Sequence, residues 1–102
     1  MKLATSTALI TGAASGLGRE IALQLAVPGR TLWLTDRDSD ALQAVAAEVT
    51  AKGATAHTLR LDVTAEEDWR AARQAAGTVD LLVNNAGVAD VGPLLSTTER
   101  QW

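Results

Sequence analysis

Short apolar runs alternate with stretches of helical amphipathic spacing along this chain, the pattern of β-α-β units and a parallel sheet. Thr7 to Thr11 (TALIT) predicts a buried strand stopped by Gly12. From Gly16 the spacing turns helical, with Leu17, Ile21 and Leu25 at i, i+4 and i+8. The small Ala22 and Ala26 on the same side let this helix lie close to a sheet, and Pro28-Gly29 ends it. Thr31 to Thr35 (TLWLT) predicts a second strand that closes on Asp36. Asp38 or Ser39 can cap the next helix, whose buried stripe is Leu42, Val45, Ala46 and Val49 and whose stop is Gly53. Ala54 to Leu61 reads as a third strand. Thr64 to Glu67 (TAEE) fits a capping box opening a helix with Trp69, Ala72 and Ala76 on one face. Val79 to Val83 is a fourth strand running into Asn84-Asn85-Ala86-Gly87. After a loop with Gly92-Pro93, Ser96 to Glu99 (STTE) forms a second capping box, and the chain stops at Trp102 about one turn later. A single turn does not offset the cost of helix nucleation. The 102 residues are therefore expected to be the front part of a longer protein.

Composition narrows the partners. The length suits one domain, at roughly 100–200 residues per domain. With 47% hydrophobic and 21% charged residues the chain reads as folded and globular. A net charge of −3, with no cluster of Lys or Arg, argues against nucleic acid and against an anionic membrane surface. There is no cysteine, so disulfides, thiolate catalysis and Cys-based zinc sites are excluded, and the lone His57 cannot build a metal site. The N-terminal apolar stretch is too short for a signal peptide, and no run approaches the ~20 apolar residues of a membrane span. A cytoplasmic location is expected. The composition also contains no tyrosine.

The candidate chemistry begins at the first turn. Thr11-Gly12-Ala13-Ala14-Ser15-Gly16-Leu17-Gly18 lies between a predicted strand and a predicted helix, the context that gives a glycine trio meaning. Gly12 can leave the strand at positive φ, Gly16 lets a pyrophosphate approach the backbone, and Gly18 allows close helix packing. The helix N-terminus supplies N–H groups and partial positive charge. No Gly-Lys-Ser/Thr follows, which removes the Walker-type alternative. Asp36 ends the next strand 18 positions after Gly18, near the ~20-residue spacing expected of an acid that binds an adenosine ribose. It would accept from ribose hydroxyls and repel a 2′-phosphate; a helix cap or solvated turn is its structural alternative. Arg37 beside it could instead grip a 2′-phosphate. The expected fold class is α/β, a three-layer Rossmann-type parallel sheet of strand order 3-2-1-4, expected to be truncated before the remaining strands.

These residues converge on a family. TGAASGLG is similar to the TGxxxGxG signature of short-chain dehydrogenases/reductases, and Asp36, Asp62-Val63 and Asn84-Asn85-Ala86-Gly87 recur in the family's order. GPLLSTTERQW resembles the segment leading into the family's long interface helix. The resemblance covers essentially the whole chain. It implies that Gly12, Ser15, Gly16, Leu17 and Gly18 surround pyrophosphate and adenosine, and that Asp36 holds the ribose. Asp62 would accept from the adenine amino group beside the Val63 backbone. Asn85, Ala86 and Gly87 would line the strand end near the ribose, and Asn84 would bridge neighbouring strands. Asp36 and the uncharged Ser15 favour NAD as cofactor, with NADP the less favoured alternative.

The chain departs from the family in three places. The helix after Asp62-Val63 is about one turn short, and Val27-Pro28 replaces a charged pair at a helix end. The family's Ser, Tyr, Lys and supporting Asn have no counterpart here: there is no tyrosine, and the only lysines, Lys2 and Lys52, lie outside the motifs. No residue is therefore assigned to acid–base catalysis, and the chain alone is expected to be inactive. The expected activity of the full-length protein is hydride exchange between the dinucleotide and an alcohol or ketone, with a homo-oligomer possible. A non-catalytic nucleotide-binding or interaction module is the alternative, and a split enzyme completed by a second polypeptide is a third. An unpaired edge at Leu81-Leu82-Val83 is expected to promote aggregation. Trp33 and Trp69 are expected to pack, and His57 to be solvated or to sit on a sheet face.

Overall fold

The computed structural model describes residues 6–14 and 16–85. The expected loop and helix over 92–102 lie outside them. The elements alternate strictly: β1 (Thr7–Thr11), α1 (Gly16–Leu25), β2 (Thr31–Asp36), α2 (Ser39–Ala51), β3 (Thr55–Arg60), α3 (Glu66–Ala76) and β4 (Leu81–Asn84). The four strands form one parallel sheet of order β3-β2-β1-β4. This is the architecture the alternating pattern predicts. The third strand lacks the Ala54 and Leu61 of the expected run, and the fourth begins two residues later and ends one residue later, at Asn84; Ala54, Leu61 and Val79 still pack into the two cores.

Each sheet face has its own core, as the two-residue period of a strand requires. Ala8 and Ile10 of β1 and Leu32 and Leu34 of β2 face α1 and α2, meeting Ala22, Leu42, Val45 and Val49. Leu9, Trp33, Leu59 and Leu82 face the opposite way, toward Trp69, Ala72 and Ala76 of α3. Three layers result. Ala46, assigned to the α2 stripe, is only partly buried while its neighbours are sealed.

Two local expectations are corrected. In α1 Gly18, Ala22 and then Ala26 face the sheet as expected, whereas Leu17, expected on the same side, stands 62% exposed. Leu17 precedes Gly18 by one residue, about 100° of rotation, which turns it out of the contact, while Leu25 at the other end of the helix still packs on the core. The second correction is at α3, where the expected capping box does not form. Ala65 occupies the N-cap without a side-chain bond, and Thr64 turns back to Asp62 instead. Asp68 in the first turn reaches back to accept from the Asp62 N–H at 2.8 Å. At α2 the cap is Asp38, which accepts from the Ala41 N–H at 3.0 Å.

Among the described residues no helix is long and apolar enough to cross a membrane, and no group of three or more His, Cys, Asp or Glu could hold a metal. Trp33 packs as expected, and His57 lies on the sheet stacked on it with ring centroids 4.5 Å apart.

Candidate dinucleotide-binding site

β1 connects leftward to β2 and β3, while β4 pairs on its other side. The strand order therefore reverses beside β1, and in open α/β sheets the crevice outside the carboxyl ends of the strands at such a point is where ligands bind. Every described candidate residue lies along that edge: Gly12 after β1, Asp36 and Arg37 at the end of β2, Asp62 and Val63 after β3, and Asn85 after β4. Gly16, Leu17 and Gly18 form the first turn of α1 above it. Ser15, Ala86 and Gly87 lie outside the described residues.

The three glycines are required for different reasons. Gly12 (φ 64) and Gly16 (φ 57) adopt left-handed backbone, which costs other L-residues roughly 1–2 kcal/mol. A Cβ at Gly16 would meet nothing within 4 Å, so the space above that backbone is open. Gly18 is the opposite case. A Cβ there would lie 1.9 Å from the Gly12 carbonyl oxygen and 2.7 Å from Nδ2 of Asn85. The close approach expected at Gly18 is thus to the turn and to the end of β4.

Thr11 joins β1 to β4. Its buried Oγ1 donates to Oδ1 of Asn84 at 2.9 Å and accepts from the Asn85 N–H at 2.8 Å. Asn84 therefore bridges neighbouring strands. Asn85 Nδ2 donates to the Gly12 carbonyl at 3.4 Å, a long bond that holds the turn toward β4. Sequence reasoning passed over Thr11 as a hub, although a hydroxyl ending an otherwise apolar strand was a signal for it. On the other side, the Ala13 N–H donates to the Thr35 carbonyl, and the Ala14 N–H donates to Oδ2 of Asp36, each at 3.0 Å. Nothing in the sequence marks these two amides.

Gly12, Asp36, Arg37, Leu61 and Val63 line an open cavity of ≈ 140 Å³. It brings together four candidate residues from three strand ends, with Leu61 added as an apolar wall. Asp62 lies beside it. Its Oδ1 accepts from the Thr64 hydroxyl at 2.6 Å and the Thr64 N–H at 2.9 Å. These bonds, the hydroxyl first, hold its carboxyl below the usual carboxylate range, with smaller help from Arg37 and Arg60. Asp62 is thus an ionised acceptor. The Trp69 indole N–H donates to the Val63 carbonyl at 2.9 Å and fixes the same turn from the α3 side. Farther out on α1, Arg19 pairs with Glu48 of α2, joining the two helices that cover one face.

An adenosine diphosphate group fits this edge. Each oxygen of the Asp36 carboxylate accepts one N–H, from Ala14 and from Asp38, and retains capacity for hydroxyl donors. The first-turn N–H groups of α1 have no intrahelical partners, which suits phosphate oxygens. The missing side chain of Gly16 leaves room for them.

A reversed parallel sheet with a glycine turn at the reversal and an acid ending β2 defines a dinucleotide-binding α/β domain. The chain belongs to the short-chain dehydrogenase family, whose model matches residues 6–102. It is 36% identical over 98 residues to a cyclopentanol dehydrogenase of Comamonas testosteroni, covering 92% of this chain and 39% of that protein. It is 38% identical over 91 residues to a 7α-hydroxysteroid dehydrogenase of Escherichia coli, covering 85% of this chain and 36% of that one. The chain thus spans well under half the length of these relatives. A short-chain type dehydrogenase/reductase from Mycobacterium marinum superposes with a TM-score of 0.79 at 37% identity, over 98% of this chain and 43% of its own. A xylitol dehydrogenase bound to NAD+ gives 0.75 at 35% identity, over 85% of this chain and 35% of that one. A Sphingobium yanoikuyae dehydrogenase in complex with NADPH gives 0.72 at 36%, over 85% and 36%.

Proposed function

We propose that this chain forms the nucleotide-binding part of a cytoplasmic, NAD-dependent oxidoreductase acting on a small alcohol or ketone. The observation that carries the reading is the meeting of Gly12, Asp36, Arg37 and Val63 around one cavity at the carboxyl ends of β1, β2 and β3. When bound, the nicotinamide ring supplies hydride transfer. This chain's own residues do the holding. Gly16 and the first turn of α1 receive the pyrophosphate, with Ser15 beside them, and Leu17 presents its exposed side chain to the same region. Asp36 takes the ribose hydroxyls. Asp62 accepts from the adenine amino group beside the Val63 backbone, and Asn85, Ala86 and Gly87 border the ribose. Acid–base chemistry in this reading comes from residues outside the 102, which contain no tyrosine. A homo-oligomer of the complete protein is compatible with it.

Solved relatives hold either form of the cofactor, so the choice of NAD rests on this chain's own charges. A 2′-phosphate would meet the Asp36 carboxylate at close range, and Arg37 is exposed and can turn outward. Calorimetric titration with NAD and NADP tests both levels. The expected result is NAD binding at least about tenfold tighter, a difference of ~1.4 kcal/mol. Tighter NADP binding would sink the choice of NAD, and binding of neither would sink the nucleotide reading.

A further inference from the structure

The end of β2 holds two consecutive amides of the glycine turn, through the Thr35 carbonyl and the Asp36 side chain. Asp36 reaches across 22 positions of sequence to take the Ala14 N–H on Oδ2, while its Oδ1 takes the N–H of Asp38. We propose that Asp36 is a positioning residue for the glycine turn as well as the acceptor of the ribose, so that one carboxylate couples recognition of the ribose to recognition of the pyrophosphate. The ribose part rests on the nucleotide reading above. The latch itself rests only on bonds within the chain.

The physical case starts from freedom. Gly12 and Gly16 flank the tethered amides, and glycine loses more backbone entropy on ordering than any other residue. Two adjacent tethers remove that freedom before a ligand arrives, and preorganisation of this kind lowers the cost of binding. A bond from N–H to an ionised carboxylate is roughly twice as strong as a neutral one. A carboxylate offers about four lone-pair sites, so the two amides leave about two for ribose hydroxyls. The roles therefore support each other. A 2′-phosphate reverses this, because repelling the carboxylate also strips the tether from Ala14. Discrimination against NADP then acts on the turn as well as on the ribose. Replacing Asp36 by a small neutral residue relieves the repulsion but releases the loop.

Asp36→Ala and Asp36→Asn test the latch. Both remove the charge, but asparagine keeps one carbonyl acceptor. The first readout is amide hydrogen exchange in the ligand-free chain. Exchange at Ala14 is expected to speed up about tenfold or more in Asp36→Ala and by less in Asp36→Asn. The core amides of Val45 and Ala72 should stay as in the wild type and report an intact fold. The second readout is affinity for 2′,3′-dideoxyadenosine 5′-diphosphate, which carries adenine and diphosphate but no ribose hydroxyls. Asp36→Ala is expected to bind it about five- to tenfold more weakly than Asp36→Asn. Wild-type exchange at Ala14 in Asp36→Ala overturns the latch. Equal affinity of the two variants for the dideoxy ligand, with NAD binding lost in both, overturns the coupling. Failure of the wild type to bind any nucleotide refutes the nucleotide reading alone, and the exchange at Ala14 still decides the latch.

Discussion

Replacing Gly18 by alanine puts a methyl group 1.9 Å from the Gly12 carbonyl oxygen and 2.7 Å from Nδ2 of Asn85. The nearer atom is backbone and cannot swing aside like a flexible side chain. To restore even a 3.0 Å contact, the turn and the first turn of α1 must separate by about 1 Å. Overpacking of this size costs ~1–3 kcal/mol, and loss of the Asn85–Gly12 bond adds up to ~1 kcal/mol. Alanine returns ~0.5–1 kcal/mol because it is the better helix former. The net expectation is a loss of ~1–3 kcal/mol, or a melting temperature lower by roughly 5–20 °C for a domain of this size. Nucleotide affinity should fall in the same variant, because the displaced turn is the one proposed to receive the phosphates. Gly16→Ala is the control: no atom obstructs its Cβ, so only the left-handed backbone is penalised, at ~1–2 kcal/mol. Urea denaturation and nucleotide titration of both variants measure the difference. If Gly18→Ala keeps wild-type stability within ~0.5 kcal/mol and wild-type affinity, the steric argument is refuted.

Thr11→Val preserves the shape of the strand end but leaves the Asn85 N–H and Asn84 Oδ1 without their partner, and should destabilise the chain by ~1–3 kcal/mol in urea denaturation. Asp62 has a folded-state pKa lowered chiefly by the Thr64 hydroxyl. Its contribution to stability is therefore complete above the usual carboxylate value and is lost as pH falls through the lowered one. Thr64→Val should move the Asp62 carboxyl titration, followed by carbon NMR, upward toward the usual range; an unmoved titration would remove the hydroxyl as the cause.

How much of this was legible in the sequence differs between strands and loops. TALIT and TLWLT lie in the middle of the sheet with buried residues on both faces, so they read as strands without any need for alternation. The site residues were legible as types at intervals, because Gly12, Gly18 and Asp36 are dictated by φ, close approach and charge. What escaped was a matter of competition between equivalent local options. The sheet-facing Gly18, Ala22 and Ala26 were legible, but the exposure of Leu17, which shares the helical period with Ile21 and Leu25, was not. Thr64 could cap α3 or bond Asp62, and the nearer carboxylate won. The tethers at Ala13 and Ala14 use backbone donors that every residue carries, so no pattern announces them.

The bonds from Thr11 to Asn84 and Asn85 have a consequence for the order in which the molecule is assembled. They span 73 and 74 positions, nearly the whole of the described chain, whereas β1, β2 and β3 pair between successive units. Contacts so distant in sequence form only after a large loop has been closed, which makes them slow. During synthesis, the amide of Asn85 that holds the glycine turn toward the far strand becomes available only when almost all of these residues have emerged. A nascent chain stopped before β4 would have its glycine turn, its acid and all three described helices, but not the strand end that bonds Thr11 and Gly12. On the function proposed above, a nucleotide that binds the arrangement with β4 docked more tightly than the one without it would shift the equilibrium toward the docked strand.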